Sequence, residues 1–306
     1  MQKQVINQYN NDMERELINL FHNSNFPLHF NKTGNKEFNN YQKISVIILL
    51  RKSKKSMRDF IDGDLSESRW TSWLGLRKIP GKSTLHDWIK KFKMKSIRQL
   101  LKKLIPAKTK LGAIDGTGFD SWQRSRHYEK RVGETHMPYG NVDLFVDVEW
   151  KVVLDFSIVF KHQHDIVAAE QIFKRFDTKD IEILADKGYD SEPLHELVRD
   201  KKGKLYAPVR KRNKRSLKKR PKGRFRRECM ILPSYMGKRS IIESINFSLK
   251  KKQVPYLNSK KEYMRKREFG WHIILYNIRQ NIKMNKEKQG NLIFLQIKIY
   301  LFPDRA

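Results

Sequence analysis

The chain has 306 residues, with 65 Lys plus Arg against 33 Asp plus Glu, a net charge of +32, 39% apolar and 11% aromatic residues, and one cysteine. That length suffices for one large domain or two modest ones, and the apolar and aromatic content argues against disorder despite the charge. The lone Cys229 excludes a disulfide scaffold and a cysteine-based zinc site, and no apolar run approaches the roughly 18 residues of a membrane-spanning helix. The N-terminal MQKQVINQYNNDMEREL lacks the apolar core of a signal peptide, so a soluble intracellular protein is expected. A charge of this size calls for a polyanionic partner, of which nucleic acid is the commonest.

Residues 1–106 read mostly as helices. The run YQKISVIILLRK at 41–52 has the length of a buried helix, although its β-branched residues leave a strand open. A second short helix is expected over 54–65, with Met57, Phe60 and Ile61 on one side and Gly63 ending it. A third covers 70–76. After the Pro80-Gly81 turn, Ser83 or Thr84 caps a helix through Phe92 with Leu85, Trp88, Ile89 and Phe92 as its apolar stripe. Several short helices, a turn and a basic helix suit a helix-turn-helix-like DNA-binding region, with 83–95 as the candidate reading element.

From Lys108 the pattern changes to strands. Residues 111–115, 142–150 and 151–160 are rich in Val, Ile, Leu and Phe, with a tight hairpin at 149–151. A helix over 166–176, a strand at 181–185, a helix at 194–199 and a strand at 204–209 follow. That order predicts an α/β fold with a mixed sheet flanked by helices, rather than an all-parallel array. The stretch 210–227, RKRNKRSLKKRPKGRFRR, holds twelve basic residues and no acid. It lies between apolar elements, and a loop laid along phosphates is the expected reading. Helices close the chain at 241–252 and 271–282, with an apolar-basic segment at 292–302. The expected domains are 1–106, 107–255 with the basic insertion, and 256–306.

Three acids carry the chemistry. Asp115 ends the strand in LGAIDGTGF, Asp186 ends the strand in IEILADKGYDS, and Glu243 sits in the helix RSIIESINFSLK. A buried strand-end carboxylate is costly unless a cation or hydrogen bonds favour its charge. Pairing with any of the 65 basic residues is the ordinary answer for one such acid. Three that converge repel one another, and oxygen-preferring divalent cations relieve that repulsion. Arg239, Glu243 and Lys250 recur at i, i+4 and i+11, close to one helix face, so Arg239 can orient Glu243 and Lys250 can meet a phosphate.

These pieces together resemble the DDE transposases of prokaryotic insertion sequences, in the branch of the insertion-sequence-four and -five type. The residues that carry the likeness are AIDGTGF, ADKGYDS and Arg239-x3-Glu243-x6-Lys250, with IPGKSTLHDWIKKF in the region before them. Three residues intervene between Tyr235 and Arg239, where the family pattern has two. The resemblance implies a ribonuclease-H-like catalytic core. It also implies Asp115, Asp186 and Glu243 as catalytic ligands of two Mg²⁺ ions (Mn²⁺ as substitute), cleavage at element ends and strand transfer into target DNA, a homodimer, and action at the nucleoid of a prokaryotic cell. Expected DNA contacts are Arg239, Lys250 and, in the basic insertion, Arg210, Lys211, Arg212, Lys214, Arg215, Lys218, Lys219 and Arg220. Asp190 is expected to cap a helix or to support the metal ligands indirectly.

Rival readings are an endonuclease of the same fold that cuts without joining, and a catalytically silent repressor derived from a transposase. His162 and His164 have a metal-binding spacing but no companion cluster. His272 and Tyr276 hint at a tyrosine recombinase but lack an Arg-His-Arg set.

Overall fold

The computed structural model describes residues 2–30, 36–67, 69–120, 139–161, 163–210, 221–254 and 257–301. The chain forms two compact units, Phe92–Ile273 and Met1–Lys91 with Ile274–Ala306. The boundaries expected at 106 and 255 both fall inside the first of these. The reason lies in the packing on its sheet, which draws in a helix from before residue 106 and the first turns of a helix from beyond 255.

The unit Met1–Lys91 with Ile274–Ala306 is helical among its described residues: α1 (Gln2–Asn23), α2 (Asn40–Ser53), α3 (Met57–Asp59), α4 (Trp70–Trp73) and α5 (Lys82–Lys91). In α2 almost every residue from Asn40 to Arg51 is buried, which is why its sequence shows no amphipathic period. Its start is fixed by a capping box: Asn39 Oδ1 accepts from the Gln42 N–H at 2.8 Å, and Gln42 Oε1 accepts from the Asn39 N–H at 2.9 Å. That cap decides the helix-or-strand ambiguity of the apolar run. Gly63 does not end the next segment; it lies inside a π-helical turn, Phe60–Leu65. The helix expected through Phe92 stops at Lys91, and a new one, α6 (Met94–Leu101), begins in the other unit.

The unit Phe92–Ile273 is built on a five-stranded sheet of order β3-β2-β1-β4-β5. Its strands are β1 (Leu111–Asp120), β2 (Tyr139–Asp147), β3 (Val153–Val159), β4 (Glu182–Ala185) and β5 (Lys204–Tyr206). β2 runs antiparallel to β1 and β3, while β4 and β5 run parallel to β1. This is the mixed sheet expected from the element order, in keeping with the ribonuclease-H-like core that the family resemblance implies. Between β3 and β4 lies α7 (Asp165–Arg175), and between β4 and β5 lies α8 (Glu192–Asp200).

Strand alternation gives the sheet two apolar faces. On one, Ile114, Phe145, Ile183 and Ala185 form a core with Ala169, Ile172 and Phe173 of α7 and Leu194 and Val198 of α8. On the other, Phe269 stacks edge-on against Phe119 of β1 and Phe156 of β3, with centroids 5.1 and 5.3 Å apart. Phe269 lies on α11 (Glu262–Leu301), preceded in the chain by α9 (Arg224–Glu228) and α10 (Ile241–Ser248). A side chain on Gly270 would come within 2.7 Å of Ile97 in α6, so the absence of one lets these elements close up. Asp155 of edge strand β3 is 5% exposed and is shared by Arg98 and Arg175.

Candidate active site

Parallel register brings the first two acids together. Ile114 of β1 pairs with Ala185 of β4, so Asp115, which lies midway along β1 rather than at the strand end expected of it, stands beside Asp186, which follows the last residue of β4; adjacent strands lie about 4.8 Å apart. Ile114 and Ala185 are buried in the core, which leaves Asp115 on the opposite face of β1. Asp186 then opens a 3-10 turn, Lys187–Tyr189, and its Oδ1 accepts from the Lys187 N–H at 2.6 Å.

Glu243 comes from α10. Ile242, Ile245 and Asn246 point inward, so the helix period turns Glu243, Ser244 and Phe247 to solvent. Arg239 joins the acids: its Nη1 lies 3.5 Å from Asp115 Oδ2 and its Nη2 3.7 Å from Glu243 Oε1. Burial raises the pKa of Asp115, Arg239 and the Gly116 N–H pull it back, and the charges of Asp186 and Glu243 raise it further. The three expected acids are thus electrostatic neighbours, bridged in part by one guanidinium. Among the described residues, no three of His, Cys, Asp or Glu are gathered tightly enough to enclose an ion as they stand.

The other expected residues are distributed as follows. Lys250 lies in a π-helical turn after α10 with its Nζ 5.4 Å from the centroid of the Phe119 ring. Lys211, Arg212, Lys214, Arg215, Lys218, Lys219 and Arg220 lie outside the described residues, as does His162. Arg210 is described, and its N–H donates to Asp190 Oδ2 at 2.7 Å. Asp190 is not the helix cap, since Ser191 holds that position in α8. Nor are its oxygens free to steady a metal ligand. Arg226 Nε and Nη2 reach its Oδ1 and Oδ2 at 2.7 and 2.6 Å, and its side chain has no exposed surface. Glu192 accepts from the Phe225 and Arg226 N–H groups at 2.9 and 3.0 Å. Asp190 within GYDS and Glu192 just after it therefore fasten the start and the end of the basic stretch. The opposite charges were visible in sequence, but their pairing across more than thirty positions was not.

Asp143 was not expected at all. It sits on β2 opposite Gly116, is fully buried, and accepts from the Tyr189 hydroxyl at 2.8 Å. The only hint in the sequence is an acid at an inward position of an apolar strand. Burial raises its pKa to about 7, opposed by the Tyr189 hydrogen bond and aided by Asp165 and Asp115. The folded protein keeps this proton at pH values where the unfolded chain has lost it. The associated stability is fully present below about pH 4 and is lost as pH rises through about 7. Asp143→Asn should flatten that loss. Its stability relative to wild type should improve by on the order of 3 kcal/mol between pH 4 and pH 8, measured by denaturant unfolding. Parallel pH curves for the two proteins would refute the assignment.

A family model described as "Transposase DDE domain" matches residues 106–278, more than half of the chain. The chain belongs to the DDE transposase family. Among solved structures, the piggyBac transposase synaptic complex with hairpin DNA is similar at a TM-score of 0.46 and 12% identity, over 91% of this chain and 73% of that one. No curated protein sequence matches the chain. The family match covers all three acids, Arg239 and Lys250. Among the described residues, no helix is long and apolar enough to cross a membrane.

Proposed function

We propose that this transposase-family chain cuts DNA at the ends of an insertion sequence and joins the freed ends to target DNA, with Asp115, Asp186 and Glu243 as its catalytic acids. The observation that carries the reading is the register that sets Asp115 of β1 beside Asp186 at the end of the parallel strand β4, with Arg239 reaching from Glu243 to Asp115. The donors are all oxygen; burial is the main cause of the raised Asp115 pKa, and the charges of Asp186 and Glu243 add to it a repulsion that a divalent cation relieves. Asp115, Asp186 and Glu243 would hold two Mg²⁺, or Mn²⁺ in their place. Bound there, the ions supply activation of the attacking oxygen and charge neutralisation of the leaving one.

The protein's own groups orient and neutralise. Arg239, now shared by Asp115 and Glu243, is placed to exchange a carboxylate for a phosphate oxygen of bound DNA. Lys250 supplies a second positive charge along the same helical path. Water first attacks the phosphodiester at the element end, and the released 3′-hydroxyl then attacks target DNA. Both are in-line displacements, served by positioning and charge stabilisation with no covalent protein intermediate. The basic stretch 210–227 would follow the DNA backbone, residues 83–95 would contact the element end, and two copies of the chain would hold two ends.

A labelled donor end mixed with a plasmid target and Mg²⁺ tests the reading. Joined products are expected; cut products alone would favour an endonuclease, and neither product with Mg²⁺ or Mn²⁺ would favour a silent repressor. Charge should dominate binding as well. Changing the seven Lys and Arg of 211–220 to Gln should reduce the slope of log affinity against log salt by about 0.9 for each phosphate that is no longer neutralised. An unaltered slope would mean that these residues are merely solvated. Substitution is the better test than deleting 210–227, because Arg226 is paired inside the fold.

A further inference from the structure

The second acid of the site follows a strand of only four residues, β4, and lies at the start of a turn rather than within the sheet ladder. Something other than strand pairing must fix it. Tyr189 closes that turn with its backbone N–H on the Asp186 carbonyl at 3.0 Å. Its side chain is 1% exposed and is part of the apolar core. The hydroxyl crosses beneath β1 to Asp143 of β2 at 2.8 Å, and Asp143 is the register partner of Gly116, the neighbour of Asp115. A closed path therefore runs from Asp186 through Tyr189 and Asp143 to Gly116 and Asp115.

The surroundings fit such a path. A Cβ on Gly116 would lie 3.4 Å from Asp143 Oδ1 and 3.5 Å from both the Tyr189 hydroxyl and Asp165 Oδ1. A Cβ on Gly188 would lie 3.1 Å from Asp165 Oδ2, tighter than ordinary contact. Those around Gly116 are ordinary contact distances, so it is glycine at 188 that lets the turn settle onto this polar layer. Asp143 Oδ2, by contrast, is buried with no hydrogen-bond partner. A fully buried acid held by one tyrosine is costly, and a core-filling apolar residue would give a more stable sheet at that position.

We propose that the Tyr189–Asp143 hydrogen bond is a brace that sets Asp186 at its working distance from Asp115, making Tyr189 and Asp143 positioning residues for metal binding. This rests on the catalytic reading of Asp115 and Asp186 given above. Octahedral Mg²⁺ and Mn²⁺ sites tolerate little displacement of a ligand, so a slack turn should show first as weakened ion affinity.

Mn²⁺ binding to the full chain without DNA, followed by electron paramagnetic resonance of the free ion, tests the brace independently of activity. Tyr189→Phe removes the donor and keeps the ring, and should weaken Mn²⁺ binding about tenfold. Asp143→Asn keeps an acceptor oxygen for the hydroxyl and should bind within about twofold of wild type. Asp143→Leu should behave as Tyr189→Phe; if it does not fold, the first two variants still decide. Wild-type affinity in Tyr189→Phe would overturn the brace alone. So would a tenfold loss in Asp143→Asn, which would assign the effect to the acid's charge. If wild type binds no Mn²⁺, or Asp115→Asn binds it as tightly as wild type does, the catalytic reading fails and the brace fails with it.

Discussion

Glu243→Gln should lower cleavage of element-end DNA by about a thousandfold or more while leaving DNA affinity within about twofold of wild type. The size is that of removing one preorganised charge contact from a phosphoryl transition state. The substitution is clean for a structural reason. The Glu243 side chain is 64% exposed on the solvent face of α10, and its ion pair with Arg239 spans 3.7 Å. An exposed pair of this kind contributes little to folding, so Gln keeps the shape and loses chiefly the charge. Cleavage in single turnover and binding by anisotropy separate the two effects. Cleavage within tenfold of wild type would remove Glu243 from the site.

Asp190→Ala should have the largest effect on folding. The carboxylate has no exposed surface and takes two guanidinium bonds of Arg226 together with the Arg210 N–H. Removing it strands a partly buried cation and an unpaired amide, a loss of about 3 kcal/mol. For a unit of this size the melting temperature should fall by roughly 6–12 °C. Arg226→Met, which removes the cation, should recover part of that loss when combined with Asp190→Ala. Thermal unfolding of the two single variants and the double variant gives the comparison. Additive losses would show that the pair is not coupled.

The sheet was legible because β-rich segments alternated with helical periods in an order that only a mixed sheet accommodates. Its strand ends were not, since β1 continues to Asp120 and β2 begins at Tyr139, beyond the apolar cores of both segments. The domain boundaries were obscured for a related reason. Gly270 lies so close to Ile97 that a Cβ there would come within 2.7 Å of it, and nothing in either local sequence announces that approach. In the site, Asp115 and Asp186 stood out as acids following apolar runs, although β1 carries on past Asp115, and Arg239 and Glu243 by their i, i+4 spacing. Asp143 did not stand out, because an isolated Asp inside VDLFVD is indistinguishable from a solvent-facing residue until the register sets it opposite Gly116. Asp190 was misread because its partner Arg226 lies 36 positions away.

The margins of the sheet bear on how copies of this protein can associate. On one side β5 offers only three residues, and on the other Asp155 places a buried charge in β3, held by Arg98 and Arg175. A short border and an inward-facing charge both discourage an incoming chain from extending the hydrogen-bonded ladder. Fibril growth by strand joining strand is thereby disfavoured, even where a polyanion crowds many copies together.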